Sequence, residues 1–156
     1  MIYTCTIAGV AFGLSSFRWH FKHDAACQLS AELPGAQNLT HGEEVILTRA
    51  GIEIARVVLD SYTTQDDAER LNTSIIASDT LTFTPLPGTY EIENIVYRSS
   101  GQAKGLWLYR VGWIEPALTP GSTVNYLDHT FLIDSIVYDV GENREHMEIR
   151  EAVGAA

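Results

Sequence analysis

The chain has 156 residues, 46% of them hydrophobic and 19% charged. That is enough for one ordinary domain or two very small ones, and it excludes intrinsic disorder for most of the length. Twenty acidic residues against ten basic ones give a net charge of −10, which argues against an electrostatic footprint for DNA or RNA and against binding an anionic membrane surface.

In chain order, Met1-Ile2-Tyr3-Thr4-Cys5-Thr6-Ile7-Ala8-Gly9-Val10 alternates apolar with small polar residues and has no basic start. It reads as a strand and not as a secretory signal. Phe17, Trp19 and Phe21 alternate with Arg18, His20 and Lys22. Cys27, Leu29, Ala31 and Leu33 then alternate with Gln28, Ser30 and Glu32 until Pro34-Gly35 ends the strand. Val45 to Thr48 and Ile52 to Leu59 flank Ala50-Gly51, which predicts a hairpin. Only Gln65 to Leu71 has helical character; being short, acidic and polar, it reads as an exposed loop or a brief helical turn. Further strands are expected at 74–83, 90–97, 106–114, 124–126, 131–138 and 145–151. The Pro-Gly pairs at 34–35, 87–88 and 120–121 mark turns, because proline fixes φ and glycine supplies a positive one. No run approaches the roughly 20 apolar residues of a membrane span, so no membrane insertion is expected.

The chain also repeats itself. Thr89-Tyr90-Glu91-Ile92-Glu93-Asn94-Ile95-Val96-Tyr97 and Thr130-Phe131-Leu132-Ile133-Asp134-Ser135-Ile136-Val137-Tyr138 share the pattern Thr-aromatic-x-Ile-acidic-x-Ile-Val-Tyr at an offset of 41 positions. Ile54-Ala55-Arg56-Val57-Val58-Leu59 is a looser copy. So many short strands predict an all-β fold, an antiparallel β-barrel or sandwich, with two small packed β-units as one form of it. A seam near Pro85-Leu86-Pro87-Gly88 would give an N-terminal β-unit at 1–84 and a C-terminal one at 85–156; a single continuous domain over 1–156 is the other reading.

No segment carries a convincing catalytic arrangement. His20 and His23 are three apart, which on a strand sends them to opposite faces, so no metal site is expected there. Cys27 belongs to an apolar row and lacks a nucleophile turn, which makes it a core thiol. Cys5 is its only companion, and two free buried thiols are expected instead of a disulfide. The glycines of Gly101-Gln102-Ala103-Lys104-Gly105 have the wrong order for a phosphate-binding loop. Asp66-Asp67 and Glu43-Glu44 read as solvated acids, not as an acid/base dyad. We therefore expect no catalytic residue, no cofactor and no metal.

Two surfaces remain. Trp107, Tyr109, Val111 and Trp113 share one face of a strand; either both faces are buried in a two-layer protein or, if Leu106 and Leu108 face the core, the aromatic rings form a flat outer face for a protein neighbour or a sugar. Arg18, His20 and Lys22 form a cationic row, which reads either as a solvated strand face or as a contact for an acidic patch on an adjacent subunit. These six residues, Arg18, His20, Lys22, Trp107, Tyr109 and Trp113, are the candidate subunit interface.

The stretches His41-Gly42-Glu43-Glu44-Val45-Ile46-Leu47, Gly51-Ile52-Glu53-Ile54-Ala55-Arg56-Val57 and Ile75-Ile76-Ala77-Ser78-Asp79-Thr80-Leu81 resemble the hub-type β-barrels of phage tails. The closing segments, Leu118-Thr119-Pro120-Gly121-Ser122-Thr123-Val124, Phe131 to Tyr138 and Met147-Glu148-Ile149-Arg150, are similar to the ending of hub and tail-adaptor proteins. The resemblance implies a homo-oligomeric ring that continues the tail tube around a DNA channel, as a baseplate hub, a distal tail ring or a tube adaptor. It implies as partners other copies of the chain and tube, baseplate or spike components, and as location a virion tail assembled in the host cytoplasm. It transfers no catalytic residue, and DNA would pass through without specific nucleic-acid binding. The alternative is a carbohydrate-binding β-module using Trp107, Tyr109 and Trp113.

Overall fold

The computed structural model describes residues 2–66, 71–92, 97–99, 108–127 and 129–152. Among them lie thirteen strands and no helix: β1 (Tyr3–Ile7), β2 (Val10–Gly13), β3 (Phe17–Lys22), β4 (Ala25–Pro34), β5 (Glu44–Arg49), β6 (Ile52–Asp66), β7 (Leu71–Leu81), β8 (Thr89–Ile92), β9 (Tyr97–Ser99), β10 (Leu108–Val111), β11 (Thr123–Tyr126), β12 (His129–Gly141) and β13 (Arg144–Glu151). The fold is all-β. Two compact units are present, each built from three segments: Met1–Trp19, Cys27–Asp79 and Val140–Glu142 in the first, His20–Ala26, Thr80–Asp139 and Asn143–Ala156 in the second.

In the first unit the strand order runs β2-β1-β5-β6-β7. Neighbours along this path are antiparallel. Two of its hairpins turn on two residues with positive φ, Ala8-Gly9 (52° and 80°) and Ala50-Gly51 (51° and 82°). That backbone twist matches the right-handed twist of the flanking strands, which is why so short a turn closes them. Alternation then decides the core. Cys5, Ile7, Leu29, Leu33, Val45, Leu47, Val57, Leu59, Ile75 and Ala77 are buried, while their sequence neighbours on these strands are half-buried or exposed. The register slips twice on β6: against β5 between Leu47 and Thr48, leaving Ile54 as an extra residue, and against β7 between Leu59 and Ser61, leaving Asp60 as one. At the second slip the pairing with β5 ends: the Leu59 N–H donates to the Glu43 carbonyl (2.8 Å) and the Gly42 N–H to the Leu59 carbonyl (3.0 Å).

The second unit contains the order β12-β13-β10-β9, with β11 antiparallel to β12. β8 lies parallel to β11, Thr89 opposite Thr123 and Ile92 opposite Tyr126. Tyr109, Val111, Ile114, Leu118, Val124, Phe131, Ile133, Ile136, Tyr138, Met147 and Ile149 are among its buried apolar residues. The Pro120-Gly121 turn is pinned by the Gly121 N–H donating to the Ile133 carbonyl (2.8 Å). Beside it the buried Ser122 hydroxyl accepts the Leu86 N–H (2.9 Å), and the Thr119 hydroxyl donates to the Thr84 carbonyl (2.7 Å). Gly35, Gly88 and Gly121, the glycines of the three Pro-Gly pairs, all have positive φ.

The structure refines two expectations. Gln65, Asp66 and Leu71 are strand residues, the ends of β6 and β7, and are exposed; residues 67–70 lie outside the described residues. The simple alternation of the repeat also breaks in its second copy, where Ile136, Val137 and Tyr138 are buried in succession. Part of the first copy, residues 93–96, lies outside the described residues.

Candidate functional site

Tyr109 is fully enclosed. Its ring stacks on Phe131 with centroids 4.8 Å apart and planes 6° from parallel, and meets Tyr126 edge-on at 5.8 Å. His129 stacks on the same Phe131 at 5.5 Å, and its Nε2 lies 2.9 Å from Glu151 Oε1. Tyr109 faces Ile149 across the β10–β13 pair and Val111 faces Met147, all of them buried. Tyr109 and Val111 thus point into the core, which agrees with the buried reading of this face and rules out the outer-face alternative for these two residues. The opposite face carries Arg110, whose Nη2 donates to the nearly buried Glu148 at 2.7 Å. That ion pair lets a charged residue occupy the face expected to be apolar. Trp113 follows the end of β10 and is half-buried, and Trp107 lies outside the described residues.

Of the cationic row, Arg18 is exposed and His20 and Lys22 are half-buried. Lys22 Nζ lies 3.6 Å from Asp134. His23 holds neighbouring chain in place. Its Nδ1 accepts the Phe83 N–H (3.0 Å) and its Nε2 sits 3.1 Å from Asp24, whose other oxygen accepts the Thr82 hydroxyl (2.7 Å). Among the described residues no three His, Cys, Asp or Glu side chains are grouped to hold a metal ion. Cys5 and Cys27 are both buried and unbridged. Burial pushes the Cys5 thiol up to about 12, far from the range of a thiolate nucleophile at neutral pH.

The surface with the clearest capacity to bind is a strand edge that the sequence pattern did not single out. From Asp60 to Asp66 all seven β6 residues are exposed, those on both faces alike. Ser61 to Asp66 pair with β7 on one side, Ser61 opposite Ile76 and Asp66 opposite Leu71. Beyond Leu59 no strand among the described residues pairs with the other side. Such an edge presents free N–H and C=O groups to any extended chain. It contains acids at both ends but no lysine, arginine or proline to discourage pairing. A second edge is β2, which stands at one end of the strand order, with Val10 54% exposed. The available sequence cue is Ser61-Tyr62-Thr63-Thr64-Gln65, rich in β-forming residues yet lacking an apolar stripe on either face.

An all-β protein of two strand-rich units, with open edges and no assembled catalytic group among its described residues, is the class that fold and surface define. No protein-family model and no curated protein matches the chain. Solved structures do. The prophage MuSo2 43 kDa tail protein from Shewanella oneidensis is similar with a TM-score of 0.73 at 9% identity, over 96% of this chain and 96% of that one. A tail protein from Neisseria meningitidis MC58 is similar with a TM-score of 0.73 at 8% identity, over 99% and 97%. An Escherichia coli component of the type VI secretion system, itself structurally similar to the T4 bacteriophage tail proteins gp27 and gp5, is similar at 0.62 and 4% identity over 94% and 75%. The chain therefore shares its fold with phage tail proteins.

Proposed function

We propose that the chain is a structural component of a bacteriophage tail, or of a related injection machine, that forms a homo-oligomeric ring around the DNA channel. The observation that carries this reading is the nearly full-length likeness of fold to two phage tail proteins. Baseplate hub, distal tail ring and tube adaptor are the positions such a ring would take, with tube, baseplate or spike proteins as neighbours. Its place would be the virion tail, assembled in the host cytoplasm, and its role shape instead of catalysis. A net charge of −10 suits a channel wall that DNA must pass without binding. The edges at β2 and at Asp60–Asp66 supply the unsatisfied backbone groups that assembly would cover. The sugar-binding alternative has lost its central ring, since Tyr109 is buried.

Native mass spectrometry and negative-stain microscopy of the protein, alone and with its tail neighbours, test the proposal. Rings of defined copy number are expected; a chain that stays monomeric and joins no tail would refute it.

A further inference from the structure

The two open edges of the first unit differ in a way that selects their partners. Along β1 and β2 the Leu14 N–H donates to the Tyr3 carbonyl (2.9 Å), which makes Tyr3 and Leu14 a hydrogen-bonded pair. Alternation along the register makes Cys5–Phe12 and Ile7–Val10 such pairs as well. Ala11 and Gly13 therefore turn their N–H and C=O groups away from β1, toward the open side. The same logic applies to β6. Leu59 turns its backbone groups toward β5, so Val58 turns its own toward Ser78 on β7. Stepping along β7 by twos makes Ser61–Ile76, Thr63–Ser74 and Gln65–Asn72 the hydrogen-bonded pairs beyond the bulge. Tyr62, Thr64 and Asp66 are left facing outward.

We propose that β2 of one copy adds as a strand to the Asp60–Asp66 edge of the next copy, Ala11 and Gly13 of β2 exchanging hydrogen bonds with the outward groups of Tyr62, Thr64 and Asp66. Charge disfavours two other occupants. Self-pairing of the β6 edge about its centre sets Asp60 against Asp66, and like charges directly opposite are destabilising. β8, the edge beside β11, carries Glu91. β2 lies in a stretch without any charged residue before Arg18, so it meets the acidic edge without repulsion. The match joins two different patches, so each copy has one of each to offer, and repetition closes a ring or extends a filament. This inference rests on the ring proposed above.

The test uses full-length protein. Ala11→Pro and Thr64→Pro each remove one outward donor and leave the ladders within the chain intact, a substitution that edge strands tolerate. Each is expected to raise the concentration needed for assembly by about tenfold or more, read by analytical ultracentrifugation, with an unchanged far-ultraviolet spectrum. Thr63→Pro, which cuts the β6–β7 ladder, should instead lower the melting temperature. Mixing Ala11→Cys copies with Thr64→Cys copies and adding a short bismaleimide should give cross-linked dimers that neither variant gives alone; the native Cys5 and Cys27 are buried and do not compete. If wild-type rings form but both proline variants assemble at wild-type concentration, or cross-links appear equally in a single variant, the edge pairing is wrong and the ring reading stands. A wild-type chain that never self-associates removes both.

Discussion

Enclosure in the core of the first unit holds the Cys5 thiol at about 12 against an ordinary 9.0, because the thiolate would lose its water there. A group held above its unfolded value contributes stability that is complete below the unfolded value and is lost as pH rises through the folded one. Stability is therefore expected to be insensitive to Cys5 at neutral pH and to fall between about pH 9 and pH 12. Urea midpoints for wild type and Cys5→Ser across that range check this; the wild-type decline should be the steeper. In native protein at pH 8, maleimide should leave Cys5 unmodified by mass spectrometry and label it on unfolding. Tyr109, stacked against Phe131, sets a second expectation: Tyr109→Ala should cost about 3–5 kcal/mol in denaturant unfolding, as a core residue does. The inward row Cys27, Leu29, Ala31 and Leu33 was legible because its neighbours Gln28, Ser30 and Glu32 are plainly polar. The orientation of Tyr109 was not. A period of two fixes that faces alternate but not which one is inside, and Arg110 could take the outer side only because Glu148 pairs with it across the strands.

At the scale of elements, turn chemistry was the most legible feature. Ala50-Gly51 and the Pro-Gly pairs announced turns because glycine reaches positive φ without strain, and Gly35, Gly51, Gly88 and Gly121 all take it; Ala8 and Ala50 do so as well, which no sequence rule announced. The surroundings of two glycines separate strain from crowding. At Gly51, φ +82°, an added Cβ meets nothing within 4 Å, so Gly51→Ala should cost the left-handed penalty alone, about 1–2 kcal/mol. At Gly121, φ +90°, the added atom sits 3.3 Å from Pro85 Cγ, and Gly121→Ala should be the costlier of the two. Thermal unfolding of both variants side by side decides it. The far half of β6 stayed hidden for the complementary reason. Hydrophobic periodicity reports a buried face, and Asp60 to Asp66 bury neither. β12 was found by its repeat, but Ile136 to Tyr138 are buried in succession, so alternation understated its core.

At the scale of the molecule, fold likeness at 8% and 9% identity shows how little of an all-β architecture depends on particular side chains. Turn positions and alternating burial suffice, which is why short degenerate stretches could suggest the fold while copy number stayed out of reach. Charge acts at this scale too. Copies that each carry −10 repel one another, so self-association is expected to strengthen as salt rises from 0.05 M toward 0.5 M, where screening shortens to a few Å, roughly 4–5 Å. Sedimentation velocity at both ends of that range checks it; weakening with salt would mean that ion pairs hold the assembly. The parallel pairing of β8 with β11 carries a kinetic consequence. Parallel strands cannot meet through a tight turn, and Thr89 waits for Thr123. β11 and β12 zip locally once both exist, whereas β8 leaves the ribosome earlier and stays unmated for roughly two to seven seconds at ordinary synthesis rates of about 5–20 residues per second. Among the described strands β8 waits longest for its first partner, so during translation it is the one that a chaperone would shield.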